Sequence, residues 1–345
     1  MISAKQIVLA SRPKAHVQPN DFRLEEFELP SLNPGQTLLR VQFLSLDPYM
    51  RLRMDSHKSY AKATEVGEVM PGECIATVLE SRHPDFLEGD TVLAFAGWRT
   101  HCVLRGDGLR KVGPCPFPVT TRLGVLGMPG FTAYAGLYLI GKPKPGETVV
   151  VAAATGPVGS LVGQLARIAG AKAVGITSGP EKCSYARNEL GFDAVVDRHA
   201  ADFPVALAKA CPKGIDVYFE NVGGEVWQAV LPLLNEFARI PVCGLIAHYD
   251  SKPAEGRDQL PETMRAILTK SLMVRGFINY EFSNQHFGEF LRDVSGWLAE
   301  GRIRYREDIV DGLENAPQTF IGMLKGQNFG KLIIRVGDAG TSLPR

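Results

Sequence analysis

VVVAAATGPVGSLVGQLARIAG, residues 149–170, decides how the rest of the chain is read. With Thr148 in front, TVVVAAA is a short continuous apolar run suited to a central parallel strand buried on both faces. VGSLVGQLARIAG then carries apolar residues at helical period, so the stretch predicts strand, glycine-bearing turn and helix. Against the pattern G-x-G-x-x-G, the turn has Ala154 at the first glycine position and Gly156 and Gly159 at the other two. In such a turn the first glycine permits the tight bend, the second lets backbone approach a pyrophosphate, and the third lets helix and strand pack closely. Alanine is the smallest alternative at the first position. The helix N-terminus would offer amide N–H groups and a positive dipole end to phosphate. The competing reading is a glycine-rich turn of an α/β protein that holds no nucleotide.

Downstream the alternation continues. KAVGITS (172–178) predicts a strand and PEKCSYARNEL (180–190) a helix opened by Pro180. FDAVVD, DFPVALAKACP, IDVYFENVG, EVWQAVLPLLNEF (225–237) and ARIPVCGLI (238–246) repeat strand, helix, strand, helix, strand. This is the pattern of an α/β fold with a doubly wound parallel Rossmann sheet and right-handed crossovers. Upstream, from Gln6 to about Leu123, short β-rich runs such as QTLLRVQFLSL, GECIATVLES and THCVLRG alternate with the turn signals NPGQ, MPGE and GDG. They predict a compact, mostly antiparallel, barrel-like domain. A helix is expected over Thr132–Ile140, and HYDSKPAEGRDQLPE (248–262) reads as a polar loop beside the strand ends that meet a ligand. LIIRV near the C-terminus is a strand expected to return to the first domain. The predicted division is therefore 1–125 joined by 308–345, and 126–307.

The bulk properties narrow the function. Across 345 residues, 45% are hydrophobic and 22% charged, and the net charge of +1 supplies no global field for nucleic acid or an anionic membrane. The N-terminal apolar run is too short for a signal peptide, and no stretch approaches the ~18 apolar residues of a membrane helix, so a cytoplasmic protein is expected. Six scattered cysteines without a C-x-x-C read as free thiols.

Which dinucleotide the turn would hold is read from the second strand. A site that prefers NAD places Asp or Glu about 20 residues beyond the glycines. Here that strand ends in Thr177-Ser178-Gly179, with Lys182 one turn into the next helix and Arg198 beyond the following strand. Two cations and no acid favour the 2′-phosphate of NADP(H), a dianion that needs charge-assisted donors. The competing reading of Lys182 is a solvated helix lysine.

SLDPYMR (45–51), LGMPGFTAYAGL (126–137), AAATGPVGS (152–160), SGPEKC, GIDVYFENVGGE, PVCGLIAHY and FIGMLKGQNFGK (320–331) together resemble the zinc-independent medium-chain dehydrogenases/reductases. More narrowly, the chain is similar to the NADPH-dependent 2-alkenal, prostaglandin and curcumin double-bond reductases, over essentially its whole length. The resemblance implies a GroES-like β-barrel before the Rossmann domain, NADPH as cofactor and a homodimer. It places Met128, Pro129 and Thr132 beside the nicotinamide, and Ala154, Gly156, Pro157, Val158 and Gly159 at the pyrophosphate. Ser178, Gly179 and Lys182 fall on the 2′-phosphate side and Asn221 and Gly223 on the adenosine side. Cys243, Gly244, Tyr249, Phe277 and Asn279 lie along the cofactor, and Asn328 meets its phosphate or ribose. No metal is expected: zinc-dependent relatives carry Gly-His-Glu where this chain has Gly72-Glu73-Cys74. Three departures stand out. Arg198 replaces a tyrosine, Glu220 replaces the commoner aspartate, and Thr269 aligns with a tyrosine proposed as catalytic in relatives.

Reducing an α,β-unsaturated ketone or aldehyde needs a hydride at the β-carbon, donors for the carbonyl oxygen and a proton for the α-carbon. Tyr49 and Tyr249 are the candidate donors, because a phenol of ordinary pKa near ~10 is protonated at neutral pH. Packing is the competing role for each. Met128, Phe277, Tyr280 and Tyr60 would wall an apolar substrate pocket, with core packing the alternative for Phe277; Arg51 would pair with an acid between domains. Two rival functions stay open: an NADPH:quinone oxidoreductase and a catalytically weak NADPH-binding redox sensor.

Overall fold

The computed structural model describes residues 4–56, 61–250 and 259–337. These fall into two compact units, one holding the chain up to Leu123 with Glu307–Asn328 and the segment from Leu332, the other Gly124–Arg306 with Phe329–Lys331.

The first unit opens with β1 (Ala4–Leu9), β2 (Phe22–Phe27), β3 (Gln36–Ser45), α1 (Tyr49–Arg53), β4 (Cys74–Ser81), β5 (Thr91–Ala94), β6 (His101–Arg105) and β7 (Arg110–Lys111). The second runs through α2 (Met128–Tyr134), β8 (Thr148–Ala152), α3 (Gly159–Ile168), β9 (Lys172–Thr177), α4 (Pro180–Asn188), β10 (Ala194–Asp197) and α5 (Phe203–Ala210). It continues with β11 (Ile215–Phe219), α6 (Gly224–Val230), β12 (Leu234–Val242), α7 (Leu260–Thr269), β13 (Met273–Gly276) and α8 (Tyr280–Ala299). The chain then returns through β14 (Glu307–Asp311), α9 (Ala316–Leu324) and β15 (Lys331–Arg335).

In the first unit β3 is the hub. It pairs antiparallel with β4 along one edge, and with β6 and then β15 along the other, so the C-terminal strand is built into this sheet. Its core is apolar and aromatic: Trp98 stacks on Phe22 at 5.4 Å and meets Phe320 of α9 edge-on at 5.7 Å. In the second unit the strands stand in the order β10-β9-β8-β11-β12-β13. Each neighbouring pair is parallel, and β8 is buried along its length, as its unbroken apolar run requires.

Four local expectations are corrected. The helix expected from Thr132 starts at Met128, where Pro129 suits a first turn, and continues as wider π turns over Ala135–Gly141. The helix expected over 225–237 stops at Val230; Pro232 cannot donate to a continuing ladder, and β12 begins at Leu234, within the stretch read as helix. Among the elements that were not anticipated, two stand out. α8 shows its apolar stripe in buried Phe290, Val294 and Leu298, and β13 is exposed throughout and so lacks the alternation that marks a strand.

Phe320 carries the returning segment into the first unit's core. Phe320→Ala is expected to destabilise that unit by about 3–5 kcal/mol, read as a lower urea midpoint. A midpoint within error of the wild type would show that the segment is held by its strand pairing alone.

Candidate functional site

The strand order reverses about β8, with β9 on one side and β11 on the other, and ligands of open α/β sheets bind outside the strand ends at such a point. The turn from β8 to α3 is shaped by close approach. A Cβ on Gly159 would lie 2.3 Å from the Ala153 carbonyl oxygen and 3.0 Å from that of Ala152, so only glycine lets α3 begin there. Of the first amides of α3, that of Ser160 donates to Gly156 O and those of Leu161 and Val162 to Val158 O, which leaves the helix dipole and the Val158 and Gly159 amides to face an anion. The left-handed residue is Ala153, with φ +52°, and not Ala154 at the first glycine position. Ala154 is buried; its amide donates to Ile176 O at 3.0 Å, and its methyl faces Gly175 of β9, where a Cβ would approach it to 2.9 Å. A glycine across the sheet thus makes the room that alanine takes in the turn. Thr155 and Thr177 hydroxyls join the two strand ends at 3.1 Å. The cradle fits a pyrophosphate, with Gly156, Pro157 and Val158 forming its rim.

At the end of β9, Ser178 and Gly179 lead into α4 without an acid at the strand end itself; exposed Glu181 stands in the first turn of α4, immediately before Lys182. Lys182 is half-buried in the first turn of α4. Arg198 is exposed, its amide donating to Thr177 O at 2.9 Å. The sequence reading overlooked Asp197. Desolvation alone would raise its pKa, but the amides of His199 and Gly179 donate to its carboxylate and hold it below the usual range. Its charge is therefore taken up by backbone donors beside α4.

On the other side of β8, Asn221 Nδ2 donates to Ala152 O at 3.0 Å, tying the β11 end to the β8 end. The neighbouring Glu220 is 2% exposed and organises the whole turn. Its Oε1 accepts from the Tyr218 hydroxyl at 2.9 Å and from the amides of Val222 and Gly223 at 2.7 and 2.9 Å. Its backbone oxygen accepts from the amides of Cys243 and Gly244. Burial raises the Glu220 pKa against these donors, and burial beside it pushes the Cys243 thiol up to about 12. Gly223 (φ +74°) begins α6, and the Gly224 amide donates to His248 Nε2 at 3.1 Å. Tyr249 folds back over this loop: its hydroxyl oxygen accepts from the Leu245 amide at 3.1 Å.

Met128, Thr132 and Asn279 are brought together. Thr132 Oγ1 donates to Met128 O at 2.8 Å and accepts from Asn279 Nδ2 at 3.0 Å, while Pro129 is buried in the first turn of α2. The placement of Phe277 as a pocket wall is corrected. It is 5% exposed, its ring packs on Phe219 and Phe282, and its amide donates to Val242 O, so it serves the core. Tyr280, 61% exposed at the start of α8, is unconstrained by such packing.

In the first unit, burial, with Asp47 next, raises the Tyr49 pKa well above the ordinary phenol value, so its hydroxyl stays protonated. Arg51 is 5% exposed and pairs with Asp55 at 2.7 Å, one helical turn along in the same unit rather than between domains. Tyr60 lies outside the described residues. Asn328 immediately precedes Phe329, where the chain enters the second unit. Thr269 Oγ1 donates to Arg265 O at 2.9 Å, a local helix bond. Cys74 donates to the carbonyls of Gly72 and Gly97, and burial raises its thiol pKa well above the ordinary value.

Residues 5–112 match the family model for the N-terminal domain of oxidoreductase, and residues 157–295 the model for zinc-binding dehydrogenase. An NADPH-dependent curcumin reductase of Escherichia coli K12 is 54% identical over 330 residues, covering 95% of this chain and 96% of that protein. Prostaglandin reductase 1 of Bos taurus is 39% identical, covering 97% and 100%. The crystal structure of CurA from Vibrio vulnificus in complex with NADPH superposes with a TM-score of 0.94 at 48% identity, covering 97% and 99%.

Glu220 gives a test of the site's electrostatics. A carboxylate whose pKa is raised on folding costs stability increasingly as pH climbs from its ordinary 4.5 through the folded value. Glutamine keeps an oxygen acceptor and carries no charge. Glu220→Gln is therefore expected to melt above the wild type at pH 8, with the difference shrinking as pH falls toward 4.5. A variant that melts several degrees lower at pH 8 would show that the ionised form stabilises the turn.

Proposed function

The chain belongs to the double-bond reductase branch of the medium-chain dehydrogenases/reductases, and on that premise we propose that it reduces the carbon-carbon double bond of α,β-unsaturated ketones and aldehydes with NADPH. The observation that carries the cofactor is the β8–α3 cradle, whose Gly159 leaves no room for a Cβ, followed by a second strand that ends without an acid. The amides of Val158 and Gly159 would donate to the pyrophosphate, that of Gly156 being engaged with Ala153 O. Lys182 and Arg198 would receive the 2′-phosphate, and Asn221, Gly223, Cys243, Gly244 and Asn328 would flank the remainder. Met128, Thr132 and Asn279 would meet the nicotinamide, which supplies the hydride when NADPH is bound.

The chain's own contribution to the chemistry is hydrogen-bond donation. Tyr249 and Tyr49 are neutral phenols able to hold the carbonyl oxygen or pass a proton, and Tyr280 and Met128 supply apolar surface to the alkene's substituents. Hydroxyl donors suffice for that oxygen, so we assign no metal. The comparable cysteine, Cys74, keeps its proton and donates it to two carbonyls, which makes it a poor ligand. The six free cysteines support a cytoplasmic setting.

A homodimer is supported by the edge of the Rossmann sheet. β13 lies at the end of the strand order with Met273 and Val274 exposed, and α7 turns Leu260, Met264 and Leu268, spaced four apart, outward. An open strand edge beside an exposed apolar stripe favours pairing with a second copy.

Three outcomes check this reading. Steady-state assays with NADPH are expected to show turnover of 2-alkenals or curcumin; quinone turnover without enone turnover would reassign the protein as a quinone oxidoreductase. Lys182→Ala is expected to raise KM for NADPH about tenfold and barely change that for NADH, as loss of a charge-assisted phosphate contact requires. Leu268→Lys should shift the mass measured by light scattering from dimer to monomer, and an unchanged mass would move the interface elsewhere.

A further inference from the structure

The segment Asn328-Phe329-Gly330-Lys331 does more than lead into a strand. The Lys331 amide donates to Arg306 O at 2.9 Å, and Gly330, at φ +94°, passes so close that a Cβ would lie 2.3 Å from the same oxygen. Only glycine allows that approach, and it fixes where Phe329 emerges. The Phe329 ring meets Tyr185 of α4 edge-on at 5.0 Å. Arg306 Cζ stands 3.9 Å from the centre of the Phe329 ring and 5.8 Å from that of Tyr185, while Lys182 Nζ is 5.9 Å from the Phe329 centre.

One ring thus gathers two cations at the start of α4. A bound dianion would lower the Coulomb cost of holding two like charges around one ring. Of the acids nearby, Glu189 pairs with Arg304, the Asp197 carboxylate accepts from the Gly179 and His199 amides, and exposed Glu181 precedes Lys182 in the first turn of α4. A stacked guanidinium uses its face on the ring and directs its N–H donors outward in its plane, the geometry that grips a phosphate. Arg306 is exposed, so those donors lie on the surface.

We propose that Phe329 is a positioning residue for coenzyme selectivity, holding Lys182 and Arg306 as a pair, and that Arg306 is a second cation for the coenzyme's 2′-phosphate. The proposal rests on the reading of this site as one for NADPH with Lys182 at the 2′-phosphate.

The test measures Kd for NADPH and NADH by titration of the full chain, for the wild type, Phe329→Ala, Phe329→Tyr and Arg306→Ala, with a melting curve for each. Phe329→Ala and Arg306→Ala are each expected to weaken NADPH about fivefold and leave NADH within about twofold, the scale of a lost cation–π or charged contact. Phe329→Tyr, which keeps the ring, should restore wild-type values. Equal losses for both coenzymes, or none, would overturn the proposal, and if Phe329→Ala does not fold, Arg306→Ala and Phe329→Tyr still decide it. A wild type that shows no preference for NADPH would instead refute the underlying reading of the site.

Discussion

The contact that the site depends on is the one between Gly159 and the carbonyls of Ala153 and Ala152. It sets the distance between the end of the central strand and the start of α3, and so where the positive end of the helix dipole lies. A side chain at 159 would push the helix away from backbone atoms that cannot yield. The turn also holds Ala153 in the left-handed region, a strain of about 1–2 kcal/mol for a residue with a Cβ. Pairing of β8 with β9 and β11 on either side supports it. Departure from the glycine pattern at Ala154 is absorbed in the sheet, where Gly175 supplies the missing volume. The two residues are 21 positions apart in sequence and form one packing unit.

The second support is polar. Glu220 gathers two amides and a phenol on one oxygen, and its own carbonyl receives two more amides from the β12 end. Two separate strand-to-loop transitions are thereby referred to one buried residue. This matters because Asn221 on one loop and Tyr249 on the other are both candidate site residues. Their spacing follows from Glu220 rather than from direct contact. A glutamate reaches one methylene further than an aspartate, and here that reach spans to the Val222 and Gly223 amides.

The sequence made the alternating second unit legible because its strands are buried on both faces and its helices amphipathic, so periodicity and burial agree. It was less informative where tertiary structure overrides local pattern. LPLLNEF reads as helix by composition, yet Pro232 and the left-handed Phe237 (φ +60°) turn it into a 3-10 turn and a strand. Among the described residues Met273–Gly276 pairs with β12 alone, and it is exposed, so no alternation announced it. Among the candidate site residues, a motif points to Gly156 and Gly159, an absent acid to Lys182, and the family resemblance to Asn221. Phe277 was misplaced, since an aromatic residue beside a glycine looks the same in sequence whether it walls a pocket or fills a core. Asp197 and Arg306 were invisible for a further reason: their significance lies in which backbone amides and which ring they meet.

Coenzyme choice shows how these levels combine. The end of β9 lacks an acid, which removes a repulsion but by itself attracts nothing. Asp197, one strand further out, would restore negative charge near α4, yet its carboxylate is drawn onto the Gly179 and His199 amides, so its field is partly answered by backbone dipoles. Around the Phe329 ring at the start of α4 stand Lys182, from the helix itself, and Arg306, from the distant end of the unit, with exposed Glu181 in the same helical turn. On the proposed reading, selectivity for a 2′-phosphate depends on separate chain segments meeting at one helix end, and the tightest constraint among them is the glycine at 330 that lets the last segment come close enough to join.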